Sequence, residues 1–183
     1  MSGGVLVAGI GNVFLTDDGF GSEVARRLAA GPLPDGVRVV DYGIRGMHLA
    51  YDLLDGYDAL VVVDAVPGTG RPGELSVLRV GPEDLPPDAE LDAHAMAPAS
   101  VLAGLSRLGG ALPPTWLVGC QPADVGEGMG LTPVVAAALD GAVALFHELL
   151  DAQRPPRTDP SPTARPPRRA RAAGSALPTK ELS

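Results

Sequence analysis

Residues 5–21 read VLVAGIGNVFLTDDGFG, and the change of character along them decides the fold. Val5–Ile10 is an apolar run of strand length without polar alternation, the pattern of a strand covered on both faces. A glycine-containing loop follows and ends in Asp17 and Asp18. Gly19–Ala30 then takes up helical spacing, with Val24, Leu28 and neighbouring alanines on one face and Arg26–Arg27 outside. Strand, loop and helix in that order form the unit from which parallel α/β sheets are built.

Outward from this stretch the alternation continues. Val37–Tyr42 reads as a strand, Met47–Leu54 as a short helix and Ala59–Val63 as a fully apolar strand ending at Asp64. Glu74–Val80 alternates apolar and polar residues, as an edge strand or hairpin arm does. Ala97–Leu108 reads as a helix that stops at Gly109–Gly110, and Thr115–Gly119 as another buried strand. Thr132–Leu150 is the closing helix, with Thr132 as N-cap and Pro133 in its first turn. The expected fold is a single α/β domain over residues 1–150, a twisted, mostly parallel sheet with helices on both faces. Ligands of such sheets gather beyond the carboxyl ends of the strands, which here carry Gly9–Asp18, Asp41–Gly46, Asp64 and Cys120–Gln121.

A length of 183 residues suits one domain with one good-sized core. Cys120 is the single cysteine, which excludes an internal disulfide framework and a multi-cysteine zinc site and fits a reducing compartment. The amino terminus lacks the basic region and long apolar stretch of a signal peptide. Asp140, His147 and Glu148 interrupt the longest apolar segment, Val134–Leu150, so a cytoplasmic protein without a membrane span is expected. Charge is uneven. Residues 1–150 carry seven Arg, no Lys and 19 Asp plus Glu, a balance of −12 that argues against nucleic acid as the main partner. Residues 151–183 hold seven of the 14 basic residues and seven prolines with almost no large apolar side chain, and are expected to form a disordered tail.

Few residues are left to carry chemistry. Gly9-x-Gly11 after a strand invites a dinucleotide-binding reading, but position 14 is Phe where a third glycine belongs, and residues 1–150 contain no phosphate-loop lysine. No G-x-S-x-G elbow frames Ser22, Ser76, Ser100 or Ser106, and there is no H-E-x-x-H zinc-peptidase motif. Cys120, at the end of a buried strand, reads as a core thiol. Asp17 reads as a cap on the helix that follows it. Asp18 and Asp64 are different, because they converge on one edge of one sheet, where two carboxylates repel unless a proton or cation lies between them. His94 alone would pass for a surface or capping histidine. With Asp18 and Asp64 it completes a carboxylate–carboxylate–imidazole set suited to a divalent first-row metal with open positions. His48, on a short helix after Gly46, and His147, on the exposed side of the closing helix, have weaker cases.

Five segments, in order and spacing, resemble the NiFe-hydrogenase maturation protease family: GIGNVFLTDDGFG at 9–21, DYGIRG at 41–46, VVVDAV at 61–66, DAHAMAP at 92–98 and VGCQPADVGEGMGLTP at 118–133. The resemblance covers about residues 4–150. It implies three metal-contacting, catalytic side chains at Asp18, Asp64 and His94. It further implies an endopeptidase that removes a short C-terminal extension from the precursor of a hydrogenase large subunit once nickel has been inserted. The nickel is then the substrate's own and serves recognition, with other divalent ions able to replace it in vitro. Orientation of the tail supplies a large part of a hydrolytic barrier, and a metal-polarised water or carbonyl supplies more. The same ligands leave open a non-cleaving, nickel-dependent checkpoint or chaperone for the large subunit. Tyr42 and Arg45 depart from the family, which often has glycine and an uncharged residue there, and point to a different substrate tail. Asp41, at a strand end, reads as a turn-forming residue ahead of the alternative that it assists catalysis or orients the substrate.

Overall fold

The computed structural model describes residues 3–86 and 98–153, so His94 and the chain from residue 154 onward lie outside the described residues. The first compact unit of the chain spans Met1–Ala152. Five strands make one sheet: β1 (Val5–Ile10), β2 (Val37–Gly43), β3 (Ala59–Ala65), β4 (Leu75–Val80) and β5 (Thr115–Cys120). Their order is β2-β1-β3-β5-β4, with β4 antiparallel at one edge and the other pairs parallel. Helices α1 (Phe20–Ala30), α2 (Gly46–Leu53), α3 (Pro98–Gly104), α4 (Pro133–Ala136) and α5 (Leu139–Gln153) cover the two faces.

Alternation along the strands divides the interior in two. On one face Val7, Val61, Val63 and Val118 pack with Phe20, Val24 and Leu28 of α1 and with Leu139 and Phe146 of α5. On the other, Leu6, Ala8, Leu60 and Val62 meet Leu49 and Leu53 of α2 and Leu102 of α3. Because β1 and β3 are covered twice over, both appear in the sequence as unbroken apolar runs. The segment Pro133–Ala152 is long and apolar enough to cross a membrane by composition. Val135, Leu139, Ala142, Phe146 and Leu150 are instead buried in the first core, which makes it a core-covering segment.

Three elements differ from the sequence reading, the first being the expected helix Ala97–Leu108, whose described part is α3 to Gly104 followed by a 3-10 turn, Leu105–Leu108. The closing helix is divided at Ala137–Ala138, where the Ala138 amide donates to Val135 O at 3.0 Å, a tightened i→i−3 turn between α4 and α5. The first helix is preceded by a 3-10 turn, Thr16–Gly19. That turn and the start of α1 press hard against the strand ends. A β-carbon on Gly21 would lie 2.1 Å from the Val63 carbonyl oxygen and 2.2 Å from that of Ile10. One on Gly9 would lie 2.4 Å from the carbonyl oxygen of Gly21. The glycines that suggested a phosphate loop serve backbone-on-backbone packing of the chain itself.

Candidate active site

Asp18 and Asp64 reach the carboxyl edge of the sheet by different routes. Asp18 stands in the 3-10 turn after β1, and its Oδ2 accepts the Asn12 amide at 2.8 Å. Asp64 is the residue before the last in β3, beside Gly119 of β5, directly after Val61, Val62 and Val63. Both are partly buried. Burial first, and the Asp18 charge second, push the Asp64 carboxyl up to about 7, with the Ala65 amide pulling weakly the other way. Ion pairs form elsewhere among the described residues, as between Arg26 and both Glu23 and Asp41, Arg27 and Asp140, and Arg38 and Asp52. Such a pair of carboxylates, one of them reluctant to ionise at neutral pH, is relieved by a shared proton or a divalent cation.

His94, the third member of the expected set, lies outside the described residues. Among the described residues no three His, Cys, Asp or Glu side chains group closely enough to hold a metal. The two carboxylates present are hard oxygen donors and fit a divalent ion with most positions left open, as an ion already held by other ligands would require. A cleft of about 320 Å³ runs beside the first loop between Val13, Gly19, Leu131 and Leu139, but neither Asp18 nor Asp64 lines it.

Asp17 does not cap the helix that follows it, which has Gly19 at its N-cap and no side-chain cap bond. Its side chain turns inward and is fully buried. There Oδ2 accepts the amides of Ala123 at 2.9 Å and Asp124 at 3.0 Å, while Oδ1 accepts that of Thr132 at 2.7 Å. The Thr132 hydroxyl lies 3.0 and 2.9 Å from the two oxygens, so this expected N-cap residue turns its side chain to Asp17 instead of capping its own helix. Burial alone would raise the Asp17 carboxyl, but the Thr132, Asp124 and Ala123 bonds outweigh it and hold the group below the usual carboxylate range. Nothing in the sequence marked Asp17 for this, since its partners lie more than a hundred residues away.

At the β2 corner Asp41 behaves as the expected turn residue. Its Oδ1 accepts the Gly43 amide at 3.0 Å and the Ser22 hydroxyl at 2.7 Å, and Arg26 approaches its Oδ2. Tyr42 is a correction. The register of β1 against β2 slips between Gly9 and Ile10, skipping Tyr42 as a bulge residue. Its ring is 2% exposed within the second core, and its hydroxyl donates to Asp52 Oδ2 at 2.6 Å. It supports α2 and leaves little of its own surface for a substrate to meet. Arg45 is exposed, with its guanidinium donating to the carbonyls of Asp41 and Tyr42. Cys120 is fully buried, and burial, then the Asp17 charge, pushes its thiol up to about 11, as suits a core residue and not a nucleophile. His48 and His147 are both exposed, and the His147 ring lies tilted against that of Phe146.

The comparisons with known proteins agree with one another. The family model for hydrogenase maturation protease matches residues 22–148. The hydrogenase expression/formation protein HupD of Rhodobacter capsulatus is 36% identical over 145 residues, 76% of this chain and 68% of the relative. The hydrogenase 2 maturation protease of Escherichia coli is 33% identical, covering 76% of this chain and 85% of that protein. Among solved structures, the E. coli hydrogenase maturating endopeptidase HybD superposes with a TM-score of 0.69 at 31% identity, over 81% of this chain and 93% of the other. The hydrogenase 2 maturation peptidase of a Thaumarchaeota archaeon does so with a TM-score of 0.64 at 35% identity, over 81% and 98%. The chain belongs to the hydrogenase maturation protease family and with it is a peptide-bond hydrolase.

Proposed function

We propose that this protein is an endopeptidase that removes the C-terminal extension of a hydrogenase large-subunit precursor and acts only after nickel has been inserted there. The observation that carries the proposal is the Asp18–Asp64 pair, two carboxylates at one strand edge with Asp64 pushed up to about 7. The pair favours a cation between its members, and the substrate's own nickel is such a cation. His94 is assigned as the third contact by its sequence position. Two carboxylates and one imidazole are too hard a set to strip nickel from thiolates, so the ion stays with its substrate while the protein reads its presence. Nickel supplies a Lewis-acidic centre beside the scissile bond. The chain's own residues supply the charge that attracts it and the rigid edge that orients the adjoining tail. A buried lone thiol fits a reducing compartment and supports the reading of a cytoplasmic reaction.

The test is processing of purified precursor, nickel-loaded and nickel-free in parallel, followed as the mass loss of its C-terminal tail. The expected result is cleavage of the loaded form alone, abolished by His94→Ala in a protein that still folds. Equal cleavage of both forms refutes nickel gating. Tight binding of the loaded precursor without any cleavage makes the protein a checkpoint for the large subunit instead of a protease acting on it.

A further inference from the structure

Asp18 belongs to a turn of four residues, Thr16–Gly19, and that turn is gripped from two sides. On the strand side the fit is too close for adjustment. A β-carbon on Gly11 would fall 1.8 Å from the Asp18 carbonyl oxygen, and one on Gly19 would fall 3.1 Å from Val13 Cα. On the other side the loop from Gln121 to Thr132 is bonded along the turn. The Thr16 amide donates to Gly128 O at 2.9 Å, the Thr16 hydroxyl to Gly126 O at 2.8 Å, and the Asp17 amide to Asp124 O at 3.0 Å. Thr16 is held at φ 49°, the single described non-glycine residue with positive φ, and a β-branched side chain keeps that conformation only where its surroundings impose it. At the centre of this second grip stands the buried Asp17 carboxylate, which takes the amides of Ala123, Asp124 and Thr132 and the Thr132 hydroxyl.

We infer that Asp17 is a positioning residue for the reaction: by gathering residues 123–132 onto its carboxylate, it fixes the turn that presents Asp18 toward Asp64. The inference rests on the reading of Asp18 and Asp64 as the site. Asp17 touches no substrate. Its effect passes through one peptide unit, in a turn too short and too crowded to absorb a displacement. Thr132, which closes the lock with both its amide and its hydroxyl, belongs to the same device. The Asn12 amide is its natural reporter, because it donates to Asp18 Oδ2 at 2.8 Å and makes no bond to Asp17.

The experiment uses the full chain, isotope-labelled, with Asp17→Asn, Thr132→Val, Thr132→Ser and a core variant far from the turn, Leu28→Ala. An asparagine at 17 keeps the shape but turns an amide nitrogen toward backbone N–H groups. Nickel-loaded precursor is the substrate, and the Asn12 amide resonance is read separately. Asp17→Asn is expected to lower kcat about tenfold or more with KM within about twofold, since a misplacement near 1 Å costs on the order of a hundredfold. Its Asn12 resonance should move. Leu28→Ala should lose melting temperature yet keep kcat and the resonance, and Thr132→Ser should restore what Thr132→Val loses. Wild-type kcat in folded Asp17→Asn, or an unmoved Asn12 resonance, overturns the inference. If Asp17→Asn does not fold, Thr132→Val decides alone, and an unchanged kcat with an unmoved Asn12 resonance overturns it. If the wild-type protein cleaves no precursor, the proposed function fails, while the Asn12 resonance still decides whether Asp17 positions Asp18.

Discussion

Asp17 and Asp64 lie at the same end of the sheet in opposite surroundings. Asp17 is completely buried, yet four donors from a loop more than a hundred residues away meet its two oxygens, and it ionises more readily than a free aspartate. Asp64 is less buried, but the Ala65 amide opposes only weakly what burial and Asp18 do to it, and it holds its proton up to about pH 7. Surface exposure alone therefore does not separate them; the donors each one meets do. A carboxylate whose donors come from the chain itself belongs to the fold. One left short, beside a second negative charge, has room for a partner from outside, which is what the proposed function asks of Asp64.

The contrast is broken most easily at Asp64. Asp64→Asn should abolish cleavage of the nickel-loaded precursor, because an amide keeps the shape and loses the charge that attracts a divalent ion. Retained cleavage would remove Asp64 from the site. At Asp17 the fold itself is at stake as well as the turn that carries Asp18. Asp17→Ala should cost about 2–4 kcal/mol of stability, measured by urea unfolding, as buried N–H donors are left without an acceptor. The acid limb carries the same signature. A depressed carboxylate stabilises the fold above its unfolded pKa and loses that contribution as pH falls through its folded pKa. Stability of the wild-type protein should therefore fall more steeply below pH 4 than that of Asp17→Asn.

For Asp64 the sign inverts. Its folded pKa lies above its unfolded one, so the folded state binds the extra proton between about pH 4 and 7, and stability declines as pH rises across that window. Asp64→Asn should consequently gain stability at pH 8, on the order of 1–3 kcal/mol after allowing for solvent at the partly exposed strand end. Against the wild type, that gain should shrink toward pH 4. A variant no more stable than wild type at pH 8 would mean that Asp64 is ordinarily solvated. The smallest effect supplies the baseline. Truncation after Gln153 should change stability by no more than about 0.5 kcal/mol, the range of a substitution that touches nothing. A larger loss would mean that the numbers for Asp17 and Asp64 are not properties of the α/β domain alone.

The sequence made the sheet legible because doubly covered strands must be apolar throughout, and Val5–Ile10 and Ala59–Val63 show that directly. Asp64 was legible for the same reason, being the first polar residue after such a run. Asp17 was misread as a cap because the donors that claim it, from Ala123 to Thr132, are distant in sequence and mostly backbone amides that carry no side-chain signature. Tyr42 was misread because its destination depends on a slip of register between two strands, which no local pattern encodes. The break at Ala137–Ala138 had no glycine or proline to announce it. His94 carries a sequence assignment only.

Cys120 adds a practical corollary. A thiol with no exposed surface, pushed up to about 11, stays hidden from alkylating reagents while β5 remains paired. It is also the only sulfhydryl in the chain. The molecule thus contains its own stopwatch. The rate at which one mass increment appears counts how often the sheet opens near the Asp17 lock, with no label introduced beforehand and no second site to confuse the reading.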